Sequence, residues 1–296
     1  MARNAKMTGL NGMFKVFAET NGLLKGGSCP ECSNQLFAPK KFPNSWTCPN
    51  CGYRTVLSRT AEERIRDMEI ENRKSEALSY MTNTSCFGSL SVLNYKFANY
   101  SPLDQIEANI RNHAMKIADE IAHDIKSNPK HIMLTGGTGR GKTHIAMAMA
   151  YYIMEKSEYS VPVKYKVGEK KNIRQAPIAI TFVNWDNFME LKQDGINDRD
   201  KEKQFKLVDT SLKTADIAII DDLGKEKAND WNFRTLDSLM EVREDQHIIV
   251  TTNLEGKDLR PLYGDRAISR LTKHVAGNII SFGKVRDHRM LEVSGQ

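Results

Sequence analysis

The chain has 296 residues, of which 40% are hydrophobic and 27% are charged, with a net charge of +6. This length allows one core of about 200 residues and a smaller module beside it. No apolar run approaches the roughly 20 residues that cross a bilayer, so we expect no membrane partner. The N-terminal residues lack the apolar core of a secretion signal, which favours a cytoplasmic protein.

The first element is an apolar stripe at helical spacing. Leu10, Met13, Phe14 and Phe17 recur at i, i+3, i+4 and i+7, which predicts a short helix. Such a helix packs onto a neighbouring module or docks into a groove of a partner protein. The sequence leaves both alternatives open.

Two Cys-Pro-x-Cys turns follow, Cys29 with Cys32 and Cys48 with Cys51, with 15 residues between the pairs. This spacing is typical of a zinc ribbon, in which four thiolates complete a tetrahedral site. Because four cysteines leave no open coordination position, the predicted Zn²⁺ is structural. Disulfides are the alternative, which a cytosolic compartment disfavours.

The partner of the ribbon is open. Basic and aromatic side chains such as those near the ribbon contact nucleic acid in some proteins and protein surfaces in others. They are Lys40, Lys41, Trp46, Tyr53 and Arg54.

A charged connector comes next. Thr60 and Glu63 form a capping box that opens a helix to about residue 80. The polar residues 83–91 are interpreted as a linker, in which Cys86 stands alone and is expected to be inert. The expected domains are therefore 1–57 (helix and ribbon), 58–91 (connector and linker) and 92–296.

The pattern then becomes α/β, with a helix near 103–126 and a phosphate-binding loop between a strand and a helix. The strand is Ile132 to Leu134, and the loop has the pattern G-x-x-x-x-G-K-T. Glycines let backbone N–H groups point at phosphate oxygens, and the helix N-terminus adds positive partial charge. The predicted nucleotide-binding residues are Gly136, Gly137, Thr138, Gly139, Arg140, Gly141, Lys142, Thr143 and His144.

Roles within this loop follow from side-chain chemistry. Lys142 reaches the β- and γ-phosphates of ATP, and the Thr143 hydroxyl is placed to hold Mg²⁺. After the loop helix, residues 157–176 are unusually basic, with tyrosines interleaved. This composition suits a contact with single-stranded nucleic acid, and a solvated surface loop explains it equally well.

Three more strands follow Ile178 to Val183, namely 215–222, 248–251 and 278–282. The first of these is a buried run that ends in Asp221 and Asp222. Asp221 is expected to hold the magnesium ion beside Thr143, and Asp222 to polarise the attacking water. At the end of the next strand, the Asn253 amide is placed to orient that water or to contact the γ-phosphate.

Two arginines, Arg266 and Arg270, lie at i and i+4 on one helix face. An arginine presented to a neighbouring subunit's γ-phosphate is an arginine finger. The local pattern alone favours the alternative interpretation, that both are ordinary surface arginines. A further arginine, Arg289, follows the last predicted strand.

These motifs, in this order, resemble the AAA+ ATPases of the DnaC/DnaI helicase-loader type. The resemblance rests on the segments FANY (97–100), GGTGRGKTH, IAIIDDLG, IIVTTNL, GDRAISRL and KVRDHR, and it covers roughly residues 92–290. The resemblance implies an AAA+ P-loop NTPase with a parallel sheet flanked by helices, preceded here by the zinc ribbon. It also implies roles: Asn253 as sensor I, Arg270 as arginine finger with Arg266 beside it, and Arg289 as sensor II.

The implied function is ATP-dependent loading of the replicative hexameric helicase onto single-stranded DNA. In this family an N-terminal module binds the helicase, and in DnaI-like members that module binds zinc. The AAA+ domain of the family self-associates. This chain departs from the pattern at Asp222, where AAA+ enzymes commonly have Glu, which suggests slow, switch-like hydrolysis. The alternatives are an IstB-like transposition ATPase and a DnaA-like initiator. No helix-turn-helix pattern follows the ATPase core, which is expected to disfavour the initiator.

Overall fold

The computed structural model describes residues 23–40, 45–55, 61–167, 170–225, 230–254 and 256–288. The chain divides into two compact units, residues 1–67 and 68–296. The predicted helix over residues 10–17 lies outside the described residues. None of the helices in the described ranges is both long enough and apolar enough to cross a membrane.

The first unit is built on a small antiparallel pair of strands, β1 (Leu24–Ser28) and β2 (Gln35–Ala38). Thr47 extends the pairing, with a bridge to Phe37 and another to Arg54. The two Cys-Pro-x-Cys turns follow β1 and Thr47 respectively. Among the described residues of this unit, the apolar cluster is small: Leu36, Trp46 and Tyr53 pack with the cysteines. The unit therefore depends on its cysteine site for stability.

The second unit is centred on a parallel sheet of five strands. They are β3 (His131–Thr135), β6 (Ile180–Asn184), β7 (Ile217–Leu223), β8 (His247–Thr252) and β9 (Ile279–Ser281). Their order in the sheet is β6–β7–β8–β3–β9, and every neighbouring pair is parallel. All five strands predicted from the sequence are confirmed.

Seven helices are described: α1 (Ala61–Asn83), α2 (Gln105–His123), α3 (Lys142–Lys156), α4 (Trp185–Asp194), α5 (Arg199–Thr214), α6 (Asp230–Arg243) and α7 (Gly256–Leu271). Two short 3-10 turns, Leu90–Asn94 and Phe97–Asn99, precede α2. Helix α7 bends at Gly264, whose φ of 75° is non-helical. The boundary between the two units falls inside α1, so residues 68–91 of the predicted connector belong to the second unit.

Helices cover both faces of the sheet. In β7, Ile217 and Ile219 join the apolar cluster formed with α2 and α3. Ala218 and Ile220 join the second cluster, formed with α4 to α7. A strand buried on both faces is apolar at every position, which is why the strands appear in the sequence as continuous apolar runs.

The basic segment is a separate β-hairpin. Its strands are β4 (Ser160–Val167) and β5 (Lys170–Pro177), which pair antiparallel over their whole length and form a sheet of their own. The expectation of a surface loop was therefore wrong in its backbone structure.

Candidate nucleotide-binding site

The parallel strands bring their carboxyl ends to one edge of the sheet, where polar side chains collect. A cavity of about 650 Å³ opens there, within the roughly 300–1,000 Å³ typical of small-molecule sites. Its lining includes residues 138–144 of the loop after β3, together with Asn184, Asp221 and Asp222. The glycine loop after β3 and the two acids of β7 thus meet at one place.

Two loop positions accept only glycine. Gly136 has a φ of 138°, and a Cβ there would lie 2.9 Å from the backbone of Phe282. Gly139 has a φ of 75°, and a Cβ would collide with the Asp287 carboxylate. The next glycine, Gly141, caps α3, so the free N–H groups and positive end of that helix face the cavity. The loop therefore offers a site for phosphate groups.

The Lys142 side chain lies across this loop and is buried. Its ammonium group donates hydrogen bonds to the carbonyl oxygens of Gly136 at 2.7 Å and Gly137 at 2.8 Å. It also donates to Oδ1 of Asn253 at 2.8 Å. Asn253 directly follows β8, so one cation joins the loop after β3 to the end of the neighbouring strand.

Asp221 is the acceptor for two hydroxyl groups. Thr143 Oγ1 and Thr251 Oγ1 each donate to Asp221 Oδ1 at 2.8 Å. Burial, and next the charge of Asp222, raise the pKa of Asp221 to about 6. Adjacent oxygen ligands of an octahedral magnesium ion lie about 2.9 Å apart, since each Mg–O bond is about 2.0–2.1 Å. The Thr143 and Asp221 oxygens therefore fit two adjacent ligands of one Mg²⁺.

Asp222 leaves the regular strand geometry. Its φ is 59°, in the left-handed region, and the pairing of β7 with β8 shifts register between Ile220 and Leu223. Its N–H donates to Thr251 Oγ1 at 2.9 Å, which satisfies the backbone at this irregularity. Such strained residues concentrate at functional sites. Here the irregularity leaves Asp222, like Asp221, among the residues that line the cavity.

An aromatic wall closes one side of the cavity. The His144 ring stacks on Tyr95, with centroids 4.6 Å apart and an angle of 7° between the rings. Tyr100 meets the same imidazole edge-on, and burial lowers the pKa of His144. These flat surfaces can pack against a heterocyclic base. Sequence reasoning missed Tyr95, whereas Tyr100 belongs to the FANY segment and was available from it.

Asn184 was also missed. It ends β6, lines the cavity and hydrogen-bonds to the Asp221 carboxylate. The available signal was its position, since a polar residue at the carboxyl end of a buried parallel strand faces the ligand edge.

Arg140 contacts the C-terminal segment. Its guanidinium donates to the carbonyl oxygens of Phe282 at 2.9 Å and Gly283 at 2.6 Å. The His288 N–H donates to Gly139 O at 3.0 Å. The segment 282–288 therefore lies against the loop. Arg289, the predicted sensor II, lies outside the described residues.

The predicted arginine finger and its neighbour lie away from the cavity lining. Arg270 pairs with Asp237 on α6 at 3.2 Å and with Glu244, directly after α6, at 3.5 Å, and only 17% of its side chain is exposed. Arg266 pairs more loosely with Asp237 at 3.8 Å and Glu241 at 3.6 Å, and its side chain is 61% exposed. As predicted, the two arginines share one helix face.

The four cysteines of the first unit form one cluster. Their Sγ atoms all lie within 4.8 Å of one another. Cys29 and Cys51 are 3.6 Å apart and Cys32 and Cys48 are 3.4 Å apart, close to the roughly 3.8 Å edge of a tetrahedron with 2.3 Å Zn–S bonds. A hydrogen bond from Asn34 contributes most to lowering the pKa of Cys32 to about 6. The donor set fits a zinc ion.

Comparison with known proteins agrees with this geometry. Residues 107–252 match the family described as "Type III restriction enzyme, res subunit", a range that holds the loop after β3 and both β7 acids. The chain is 28% identical over 212 residues to the chromosomal replication initiator protein DnaA of Lachnoclostridium phytofermentans. That alignment covers 70% of this chain and 39% of the relative, so the chain spans about two fifths of that protein's length.

Two solved structures are similar in fold. The DnaC helicase loader has a TM-score of 0.46 and 19% identity, with 67% of this chain and 100% of that chain covered. DnaI has a TM-score of 0.47 and 17% identity, with coverage of 67% and 95%. With its five-stranded parallel sheet between helices, its glycine loop after β3 and its paired β7 carboxylates, the chain has the α/β P-loop fold that the sequence predicted.

Proposed function

We propose that this protein is an ATPase that loads a replicative hexameric helicase onto single-stranded DNA at the initiation of replication. One observation supports the ATPase part above all others: Lys142, Thr143 and Asp221 line one cavity, and the Lys142 ammonium donates to Asn253 at the end of β8. In this arrangement Lys142 contacts the β- and γ-phosphates of ATP. Asn253, which accepts a hydrogen bond from Lys142, would contact the γ-phosphate or the attacking water.

Hydrolysis then depends on the two carboxylates at the end of β7. Thr143 and Asp221 would hold Mg²⁺, which supplies charge stabilisation to the phosphates when bound. Asp222 orients the attacking water and accepts its proton. An aspartate reaches less far than a glutamate, so we expect slow turnover, with nucleotide binding and release acting as a switch.

The loader assignment rests on the ordered motifs of residues 92–290 and on the four-cysteine module at the N-terminal side. In this proposal the N-terminal helix and the zinc-bound unit bind the helicase. The AAA+ unit self-associates through Arg270. ATP binding stabilises the state that grips single-stranded DNA, and hydrolysis releases it.

A second candidate is an initiator that acts like DnaA on origin DNA. The 28% identity to DnaA over 212 residues favours it. The two candidates differ in their ligands, because a loader retains a helicase and single strands whereas an initiator binds specific duplex sites.

The test is co-purification with a replicative helicase of the same source, followed by ATP-dependent transfer of that helicase onto a single-stranded circle. We expect the wild type to retain and transfer the helicase. The Lys142→Ala variant should retain it, since its first unit is intact, but should not transfer it. Preference for duplex DNA without helicase retention would support the initiator or a transposition ATPase instead. Unimpaired transfer by Lys142→Ala would refute the ATP-dependent mechanism.

A further inference from the structure

The β4–β5 hairpin carries five cationic residues and one acidic residue, Glu169. Glu169 lies outside the described residues, and no other acid lies within the hairpin. The cations are Lys164, Lys166, Lys170, Lys171 and Arg174, and all five are exposed. Among the acidic residues that the structure describes, none forms an ion pair with any of them.

The lysines in the first half of α5 differ, because each forms an ion pair. On α5, Lys203 pairs with Asp200 at 2.9 Å and Lys206 with Glu202 at 2.6 Å. Lys201, on the same helix, pairs with Asp194. A surface of paired charges has a weak field, whereas unpaired cations attract a polyanion. The hairpin is therefore a place where a strong positive field is expected.

Strand pairing sorts these cations onto two faces. Lys164 lies opposite Ile173, and Lys166 lies opposite Lys171; directly opposite residues share one face of an antiparallel pair. We call this side the Lys164 face. Lys164 and Lys166 are about 7 Å apart along the strand, comparable to the spacing of consecutive phosphates in an extended single strand.

The same face also offers apolar contacts. Ile173 is 65% exposed and shares this face with the lysines. A cavity of about 540 Å³ lies against it, lined by Pro162, Lys164, Ile173 and residues 122–127 at the end of α2. A flat apolar base fits such a pocket while its phosphate meets the lysines.

The hairpin is anchored at its base. Val161 is buried, and Val163 packs on the apolar cluster beneath it. The Ile178 N–H donates to Tyr159 O at 3.0 Å where the two strands leave the body. Since β4 follows the end of α3, and α3 begins at the phosphate-binding loop, the hairpin lies about one helix length, ~22 Å, from the nucleotide site.

We propose that the Lys164 face of the hairpin, with its adjoining cavity, is a contact site for single-stranded nucleic acid. This site rests on the proposed function, because it is where the single-stranded DNA of that function would bind. Unpaired cations at phosphate spacing hold the backbone, and Ile173 with the cavity receives a base. A duplex keeps its bases stacked inside and cannot use the cavity. An acidic protein segment would use the lysines but has no base to insert there.

The experiment measures fluorescence anisotropy of a labelled 20-residue thymidine oligonucleotide with the full chain, across a series of salt concentrations. The charge variant is Lys164→Ala, Lys166→Ala, Lys171→Ala. Its matched control is Lys201→Ala, Lys203→Ala, Lys206→Ala, which removes the same charge from paired positions on α5. A second variant, Ile173→Ser, leaves every charge in place. Binding of an ATP analogue verifies that each variant is folded.

We expect the charge variant to bind at least about tenfold more weakly at 0.1 M salt, and its log–log salt slope to fall by about 2, because each lost phosphate contact removes about 0.7. Ile173→Ser should weaken binding with an unchanged slope, and the α5 control should match the wild type.

Wild-type affinity and slope in the charge variant would overturn the assignment while the proposed function stands. Absence of oligonucleotide binding by the wild type itself would instead count against the DNA part of that function. Loss of poly-glutamate binding alone in the charge variant would assign this face to an acidic protein partner.

Discussion

The ammonium group of Lys142 donates a hydrogen bond to Oδ1 of Asn253 at 2.8 Å, although 111 positions separate the two residues. The contact joins the loop that binds phosphate groups to the end of the central strand β8. A ligand that draws Lys142 toward its phosphates therefore changes the environment of Asn253 at once. This relationship motivates the first prediction.

We expect Asn253→Ala to lower the rate of ATP hydrolysis by about tenfold to a hundredfold, the effect of removing one polar group aimed at the reacting atoms. Affinity for a non-hydrolysable ATP analogue should change less than threefold, since the loop and Lys142 remain. Single-turnover hydrolysis and analogue binding, measured side by side, check this. Asn109→Ala, at an exposed position on α2, serves as the control. Equal losses of binding and of hydrolysis would contradict a role of Asn253 in the chemical step.

Substitutions of the two β7 acids, Asp221 and Asp222, should affect different steps. Asp221→Asn is expected to remove the magnesium dependence of nucleotide binding, because the amide oxygen is a weaker ligand than the carboxylate. Asp222→Asn is expected to leave that dependence intact and to lower hydrolysis at least a hundredfold. Titration of nucleotide affinity against magnesium concentration distinguishes the two variants. The same magnesium profile in both would show that the assigned roles are wrong.

Arg270 is expected to act on the ATP of a neighbouring subunit. Lys142→Ala lacks a working pocket but keeps Arg270, and Arg270→Ala keeps the pocket but lacks the arginine. Each variant alone should hydrolyse ATP at least tenfold more slowly than the wild type. Their mixture should exceed the sum of the two, because mixed assemblies join an intact pocket to an intact arginine. A mixture of Lys142→Ala with Arg266→Ala is the comparison. If the mixture of Lys142→Ala with Arg270→Ala shows no recovery of hydrolysis, Arg270 has a structural role with α6.

The cysteine cluster should carry one zinc ion per chain. Cys48→Ser is expected to lose that ion by elemental analysis and to destabilise the first unit, while ATP-analogue binding by the second unit stays unchanged. Cys86→Ser should retain the zinc. Burial raises the pKa of the Cys86 thiol to about 11, so this cysteine stays protonated at neutral pH, whereas a zinc ligand must be a thiolate. Full zinc content in Cys48→Ser would exclude the proposed ligand set.

A pH dependence of stability follows from His247. Burial, followed by Arg243 and other nearby cations, lowers its pKa from 6.5 to about 4 in the folded protein. A base whose folded pKa is depressed contributes its full stability above the unfolded pKa, and that stability is lost as the pH falls from 6.5 toward 4. The loss approaches about 3 kcal/mol. Urea unfolding at pH 5 and pH 7 should show a smaller difference in His247→Gln than in the exposed control His113→Gln.

Local patterns were sufficient for the sheet and for most of the site. A buried run that ends in Asp221 and Asp222, and a glycine loop between a strand and a helix, are signals contained in a few neighbouring residues. The parallel arrangement then brings their ends together without further information. The helices α4 to α6 were not predicted, because their apolar positions are sparse among charged residues; in α5 the buried apolar residues are Val208 and Leu212.

Other features depend on contacts between distant parts of the chain. Arg140 contacts Phe282 across 142 positions, and no local pattern reveals such a partner. The left-handed backbone of Asp222 depends on its bond to Thr251. The sequence does contain a signal for the hairpin, since Val161, Val163, Tyr165 and Val167 alternate with other residues before the dipeptide Gly168-Glu169. The basic residues between these positions are equally typical of a solvated loop, so the alternation alone does not decide.

Helix α3 starts at Lys142 and ends where β4 begins, and most of its length is buried. A helix of this kind moves as a rigid rod, since close packing resists bending along its length. A small tilt at the end beside the phosphates is consequently transferred to the opposite end, where the hairpin is attached. The nucleotide bound at the start of α3 can in this way change the orientation of the basic β4–β5 hairpin at its end.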